Sequence, residues 1–410
     1  MKLTKTSILY ITSFFFFYIT LIIGFFVGED SSGGAIRDYL FHLNIILPYF
    51  ENTLNGLRHY HEAGSTHSPV FIILLKYILF YNETLGRFIF LNLCVLTPFI
   101  FFLSLKKKIK IDILPIFFLS NFFFLSPYFR SSAIWPGDEN LGILFFISSI
   151  FFYISFLNST NDSHRIKLMI YNIFLLAIAC YFRPIYSLFS IFFFYEFILK
   201  NFKINYFLIY IFLSILLAFP AFYYVFILKI NFFSQTVGIF NLLNSFALTY
   251  SVLIYFLIPF IFFSIKSFNE FKLNYINLFF TIILSIIVFK FFYYPSATGG
   301  GILYMLQSFF FKGNFVFTII FAIAFYLTNQ ILEINKTKNF LLLIILLFNE
   351  LDFYFYMETF DPLFLICFFL LFDIKILENF FREGTLKKIN ILFIYLFLFF
   401  IIKITYLYLI

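Results

Sequence analysis

Charged residues are scarce in this sequence of 410 residues. They account for 12% of the chain, whereas hydrophobic residues account for 63%. A soluble domain of this length would carry far more charge on its surface, so the composition excludes that class. We expect instead an all-α polytopic membrane protein, in which apolar helices cross the bilayer.

Cysteine is also scarce, which argues against sites built from cysteine pairs. The three cysteines fall inside apolar runs and form no CxxC pair, so we expect buried small side chains. Four of the five histidines lie within residues 42–67. The spacing of His59, His61, Glu62 and His67 is loose for a metal site. No cofactor is predicted, although a divalent cation at this loop stays open.

Thirteen apolar runs approach or reach the length that spans a membrane. The first run lacks a small-x-small cleavage motif, so we expect a retained span and not a signal peptide. The runs cover residues 8–27, 88–104, 113–129, 141–157, 168–182, 184–199, 206–228, 242–264, 275–293, 315–332, 339–356, 362–379 and 389–408.

Residues 69–81 decide the predicted topology, because this run is apolar but brief and contains Lys76. If it lies in the outer interface without crossing, every cluster of lysine and arginine faces the cytoplasm, as the positive-inside rule requires. The net charge of +8 then reports orientation and does not indicate a nucleic-acid partner. We expect a protein of the inner or plasma membrane with a cytoplasmic N-terminus and an extracytoplasmic loop at residues 28–68.

The predicted chain is one membrane domain of about thirteen transmembrane helices, surrounded by membrane lipids. Residues 1–200 would form its catalytic half. Residues 201–410 would add helices that form a groove for a carrier or an acceptor.

The loop at residues 28–68 carries the strongest candidates for chemistry. Its apolar residues predict juxtamembrane helices and not disorder. Asp38 and His42 are four residues apart and would share one helix face, as a carboxylate base and an imidazole. Arg37 would keep that carboxylate ionised. An ordinary interfacial helix with a solvated polar face is the alternative interpretation of this spacing.

Charged residues near the outer ends of later spans extend the candidate set. Arg183 stands alone between two apolar runs, where a charge is costly and a phosphate would suit its guanidinium. A snorkelling arginine that contacts lipid headgroups is the alternative. Arg130 and Asp138 flank the only tryptophan of the chain, Trp135, in a short outer turn. The residues predicted to bind substrate are Arg37, Arg58, His67, Arg130, Asp138 and Arg183.

In their order and topology, these motifs resemble the GT-C class of integral-membrane glycosyltransferases. Within that class they are similar to the dolichyl-phosphate-glucose alpha-1,2-glucosyltransferase family and its bacterial relatives. The similar segments fall within the first 200 residues: DYLFH at residues 38–42, THSP at 66–69, WPGD at 135–138, and Phe182 with Arg183.

The resemblance implies an enzyme that moves a sugar from a polyprenyl-phosphate carrier to a glycan or lipid-linked acceptor at the outer face. Asp38 would be the catalytic base, assisted by His42. The family has two adjacent acids where this chain has Asp38 followed by Tyr39. Glu29 and Asp30, an earlier pair of acids, therefore stay open as the alternative catalytic acids.

Two other functions compete with this interpretation. A lipid-linked oligosaccharide flippase or transporter would carry charges inside its spans along a central cavity. Here the polar residues gather near one face. An O-antigen-type polymerase would have its large polar loop late in the chain, whereas here that loop comes first.

Cysteine labelling from outside the cell tests the predicted topology. A membrane-impermeant maleimide should react with Thr53→Cys and Ser131→Cys but not with Ser163→Cys or Ser267→Cys, because the basic clusters place the latter two in the cytoplasm. Labelling of Ser163→Cys in intact cells would show that residues 69–81 cross the membrane and that the polar face is inside.

Overall fold

The computed structural model describes ten stretches of the chain, and 84% of these residues are helical with no strand among them. The stretches are residues 5–63, 68–79, 82–200, 202–227, 239–264, 274–294, 299–311, 313–350, 355–382 and 385–409. The predicted all-α class is therefore confirmed for this part of the chain.

The helices form two compact units, Met1–Phe232 with Phe393–Ile410 and, between them in sequence, Phe233–Leu392. The first contains α1 (Lys5–Val27), α2 (Ala35–Phe41), α3 (Thr53–Arg58), α4 (Pro69–Leu79), α5 (Glu83–Cys94), α6 (Leu96–Lys108), α7 (Ile113–Ser120), α8 (Pro127–Ile134), α9 (Asp138–Asn158), α10 (Asp162–Phe182), α11 (Phe189–Phe194) and α12 (Ile204–Phe222). The second contains α13 (Ile239–Ser264), α14 (Tyr275–Phe291), α15 (Ile302–Phe310), α16 (Phe315–Ile331), α17 (Thr337–Leu347), α18 (Leu363–Leu370) and α19 (Lys375–Phe380). The last helix, α20 (Thr385–Leu409), begins in the second unit and ends in the first. The predicted division between residues 200 and 201 falls inside the first unit, because α12 packs against α10.

Six of these helical segments are long and apolar enough to cross a membrane. At 1.5 Å per residue, about 20 residues match the thickness of the hydrocarbon layer. The segments are Glu83–Lys108, Asp138–Asn158, Asp162–Phe182, Ile204–Ile227, Leu242–Phe263 and Thr385–Thr405. Further apolar helices of 10–17 residues accompany them in the described chain.

Two apolar runs that we expected to be single helices are broken. Between Ile113–Leu125 and Pro127–Ile134 the chain bends by 67°. The cause is local, because Pro127 has no amide hydrogen and Ser126 Oγ accepts a hydrogen bond from Phe129 N at 3.0 Å, which starts a new helix.

The run at residues 362–379 is interrupted between α18 and α19. Asn339, at the start of α17, donates to Asp373 O at 2.9 Å and accepts from Asp373 N at 3.1 Å. Its amide thus satisfies backbone groups that leave the helical hydrogen-bond ladder, and the expectation of one helix here is wrong.

Helix α4 occupies most of the run that decided the predicted topology. Its 11 residues extend about 16 Å, roughly half of the hydrocarbon thickness. The helix packs on α5, and Lys76 Nζ donates to Phe50 O at 2.6 Å and Glu51 O at 3.0 Å. The described helix α4 is therefore shorter than a full crossing, and it is joined to the first loop.

The first unit has two polar ends. Helices α9 and α10 are antiparallel, with Phe145 stacked on Phe182. At the end where α9 finishes, Lys107 Nζ donates to Ser155 Oγ at 2.5 Å and Lys203 pairs with Asp162 at 2.5 Å. Arg165 also lies here, with its guanidinium carbon 4.2 Å from the centre of the Phe156 ring, so basic residues from three separate segments of the sequence share this end. The other end, where α9 begins, holds the candidate site.

In the second unit, side-chain amides connect the apolar helices. Asn329 on α16 accepts from Tyr250 Oη at 2.9 Å and donates to Asn277 Oδ1 at 3.2 Å. These bonds join α13, α14 and α16 through partners that are all buried. We assign this network to helix packing.

Candidate functional site

The candidate site lies where the end of α1 meets α8 and the starts of α5 and α9. Beneath it is an apolar cluster of Leu21, Phe25, Leu91, Phe124 and Ile134, of which none is more than 7% exposed. Arg130, on the same helix as Ile134, is only 5% exposed, and a charge buried in this way requires a partner.

Glu29 and Arg130 supply that pairing and form the centre of the site. Arg130 Nε donates to Glu29 Oε1 at 2.7 Å, and one terminal nitrogen of the guanidinium donates to Glu29 Oε2. The remaining donors reach Thr20 Oγ1 at 3.1 Å, Thr20 O at 3.0 Å and Phe124 O at 3.2 Å. An arginine has five N–H donors, and all five are used here. Arg130 therefore fastens the loop to α1 and α8, and we leave it out of the residues proposed to bind substrate.

The segment after Glu29 is held by the same helix. Ser31 Oγ lies 2.9 Å from Glu29 Oε1 and 3.1 Å from Ser131 Oγ, which accepts from Ser32 N at 2.8 Å. Trp135 Nε1 donates to Glu29 O at 3.0 Å. Ser131 is fully buried by these contacts, so the expectation that Ser131→Cys can be labelled is wrong. Ser267, another labelling position, lies outside the described residues.

Asp30 starts the next helix. Its Oδ1 accepts from Ser32 Oγ and Gly33 N at 3.1 Å each and from Ala35 N at 3.3 Å, and its Oδ2 accepts from Ile36 N at 3.3 Å. Of these donors, the amides of Ala35 and Ile36 belong to the groups that a helix N-terminus leaves unsatisfied. Both alternative catalytic acids, Glu29 and Asp30, thus have structural partners.

Asp38 and His42 differ in their surroundings. Asp38 is exposed in the first turn of α2, whereas His42 is 2% exposed, with its ring 5.6 Å from that of Phe71 on α4. Helix α2 ends at Phe41, and His42 begins a π-helical turn, His42–Ile46. The structure therefore presents the carboxylate to solvent and packs the imidazole against α4.

Tyr39 docks α2 on the site. It is 1% exposed, its hydroxyl donates to Glu83 Oε1 at 3.1 Å, and its ring lies 5.7 Å from that of Trp135. Burial and the neighbouring Glu83 carboxylate raise the pKa of Tyr39 above its ordinary value. The phenol therefore stays neutral at physiological pH and remains a hydrogen-bond donor. Its contacts hold Tyr39, which directly follows Asp38 in the chain.

Arg87 was not among the residues predicted to form the site. Its guanidinium carbon lies 3.5 Å from the centre of the Trp135 ring, and Nε donates to Ile134 O at 3.2 Å. A cation stacked on the single tryptophan adds a further contact between α5 and the α8–α9 turn. The only feature of the sequence that could have indicated a role for Arg87 was its position, one turn into an apolar helix.

Arg183 forms the second ionic group at this end. Its Nε lies 3.4 Å from Asp138 Oδ1, and a terminal nitrogen donates to Glu139 Oε1. Asp138 is 2% exposed, whereas the side chains of Glu139 and Arg183 are 21% and 27% exposed. The sequence predicted Asp138 and Arg183 as site residues, and the structure brings them together. Glu139, their third member, was not predicted.

A glycine allows this group to form. A Cβ atom at Gly142 would lie 3.5 Å from Arg183 Cβ and Cγ and 2.8 Å from Tyr186 Cε2. Gly142 lies one turn after Asp138, on the same face of α9. The arginine side chain therefore crosses α9 at Gly142 and reaches the helix N-terminus. The two acidic residues there also interact favourably with the positive end of the helix dipole.

The other predicted ligands lie elsewhere in the loop. Arg37 and Arg58 are exposed, and His67 lies outside the described residues. His59 pairs with Glu62 at 2.9 Å, with both side chains about half exposed. Within the described ranges, no group of three histidine, cysteine, aspartate or glutamate side chains is arranged to hold a metal ion.

The long apolar helices define a helical integral membrane protein. No protein-family model, curated protein or solved structure matches the chain.

Removing one partner of the Glu29–Arg130 pair should destabilise the chain. Glu29→Gln leaves a buried guanidinium without its counter-charge, which typically costs about 3–5 kcal/mol. We expect a clearly lower midpoint of thermal unfolding for the purified protein in detergent. Glu51→Gln, which changes an exposed glutamate of the same loop, is the matched control and should unfold as the wild type does. Equal midpoints for both variants would show that the pair does not hold the loop.

Proposed function

We propose that the chain is a membrane glycosyltransferase. In this proposal, it moves a sugar from a polyprenyl-phosphate carrier to a glycan or a lipid-linked acceptor at the extracytoplasmic face. The proposed architecture is GT-C-like, with about thirteen spans, a cytoplasmic N-terminus, and the polar end of the first unit outside. It requires no nucleotide sugar.

The observation that carries this proposal is that an exposed carboxylate, Asp38, and a partly exposed arginine, Arg183, belong to the same polar end of the apolar helices. A lipid-linked sugar has the same division, since its phosphate and sugar are polar and its prenyl chain is apolar. Asp38 would remove the proton of the acceptor hydroxyl as it attacks the anomeric carbon. Arg183 would stabilise the phosphate that departs with the carrier.

Glu29, Asp30 and Arg130 have supporting roles in this proposal. Glu29 and Arg130 hold the loop against α1 and α8, and Asp30 caps α2. Tyr39 docks α2 beside the α8–α9 turn. The position of Asp38 would then be set by contacts that precede and follow it in the chain, as a catalytic base requires.

The distribution of charge favours an enzyme over a flippase. In each of the six candidate spans, charged residues occur only within the first two turns or the last turn. A transport pathway through the membrane is usually lined by ionisable groups at mid-depth. A surface site is therefore the better account of the polar residues in these helices.

The experiment that tests the proposal compares two aspartates in one assay. Purified protein is mixed with polyprenyl-phosphate-linked sugars and an extract of acceptor lipids, and released polyprenyl phosphate is measured by mass spectrometry. Asp38→Asn should lower turnover by roughly 10²–10⁴, because the base is lost while the side-chain shape is kept. Asp30→Asn should keep turnover within a few fold, since its remaining oxygen still caps α2.

The outcomes separate the enzyme from the assignment of its base. Loss of turnover in Asp30→Asn, with near-normal turnover in Asp38→Asn, would move the base to Asp30 and leave the transferase in place. Equal turnover of both variants and the wild type would contradict catalysis by either acid. No release of carrier phosphate from any donor by the wild type would contradict the proposed reaction.

A further inference from the structure

The two carboxylates bound to Arg183 are not equivalent. Asp138 is 2% exposed at the start of α9, so moving it would take a buried charge away from its partner. Glu139 is 21% exposed and contacts a different nitrogen of the guanidinium. Because both side chains of the Glu139–Arg183 pair are partly exposed, water screens this pair more than it screens a fully buried one. Of the two contacts, the one with Glu139 is the easier to exchange.

Backbone geometry places the Glu139 carboxylate at this position. A Cβ atom at Gly137 would collide with Glu139 Oε2. The Glu139 side chain therefore lies back over Gly137, which has no side chain. Arg183 follows the end of α10, and its backbone is extended, with φ −132° and ψ 107°. This conformation directs its side chain toward the same place. The carboxylate thus presents an oxygen anion to a terminal nitrogen of the guanidinium.

A phosphate group offers the same chemistry as this carboxylate. Both can present two anionic oxygens that accept parallel N–H bonds from one guanidinium. The group of Arg183, Asp138 and Glu139 already carries one excess negative charge. An incoming anion would therefore bind well only after Glu139 leaves.

We propose that Glu139 occupies the phosphate-binding edge of Arg183 in the ligand-free chain and is displaced when a lipid phosphate binds. This inference rests on the proposed function. It makes Glu139 a determinant of donor affinity, whereas Asp138 keeps the guanidinium oriented in both states. The ligand is a phosphate ester on an apolar chain.

The test measures binding of farnesyl phosphate to the full-length protein in detergent at low salt, with farnesol as the uncharged probe. Glu139→Gln should bind farnesyl phosphate about fivefold more tightly than the wild type, a factor that corresponds to about 1 kcal/mol. Arg183→Gln should bind it roughly tenfold or more weakly. Farnesol affinity should be equal in all variants.

The double variant Glu139→Gln with Arg183→Gln distinguishes a direct contact from a general change in charge. If Glu139 acts through Arg183, the double variant binds as weakly as Arg183→Gln alone. A gain that persists without the arginine would be a long-range charge effect and would overturn the inference. If Arg183→Gln does not fold, Arg183→Lys keeps the charge but loses bidentate geometry, and Glu139→Gln should then give a smaller gain.

Other outcomes separate this inference from the proposed function. If Glu139→Gln binds no more tightly while Arg183→Gln loses binding, Glu139 is not a competitor and Arg183 keeps its proposed role. If Arg183→Gln binds as the wild type does, both the inference and that role fail. A further measurement repeats farnesyl phosphate binding in phosphatidylcholine nanodiscs with added phosphatidylglycerol. If phosphatidylglycerol competes with farnesyl phosphate, and competes more strongly in Glu139→Gln, the position binds a lipid headgroup. That result would overturn a prenyl phosphate donor.

Discussion

The ion pair between Glu29 and Arg130 is the interaction on which the polar end of the first unit depends. It joins the end of α1 to α8 in surroundings where a single charge would be strongly unfavourable. Because every N–H donor of Arg130 has an acceptor, the pair fixes the loop that follows Glu29. Asp30 can then cap α2, and Tyr39 can dock it beside Trp135. Asp38 owes its position to this series of contacts.

The same turn organises the second ionic group. Trp135 binds the carbonyl of Glu29, and three residues later Asp138 begins α9 and faces Arg183. The two groups differ in a way that suits different roles. The pair of Glu29 and Arg130 is almost fully enclosed, whereas Glu139 and Arg183 are partly exposed. An enclosed pair holds a structure together, and a partly exposed arginine is able to meet a ligand.

Much of this architecture was readable from the sequence, and its limits have physical causes. Hydropathy predicted the helical class, and the isolated charge of Arg183 predicted a boundary position. The pairing of Glu29 with Arg130 was not readable, because 101 residues separate them and only folding brings them together. Spacing placed Asp38 and His42 on one face, but the π-helical turn and the packing of α4 bury only the histidine. Ser126 and Pro127 did signal a break, which the length of the apolar run concealed.

We propose that Arg183 receives the phosphate of a lipid carrier. An electron cryomicroscopy map of the protein with bound polyprenyl phosphate would show this contact. We expect phosphate density within hydrogen-bonding distance of Arg183, with Glu139 turned away and Asp138 still in place. Phosphate density elsewhere, with Glu139 still on Arg183, would overturn the proposal.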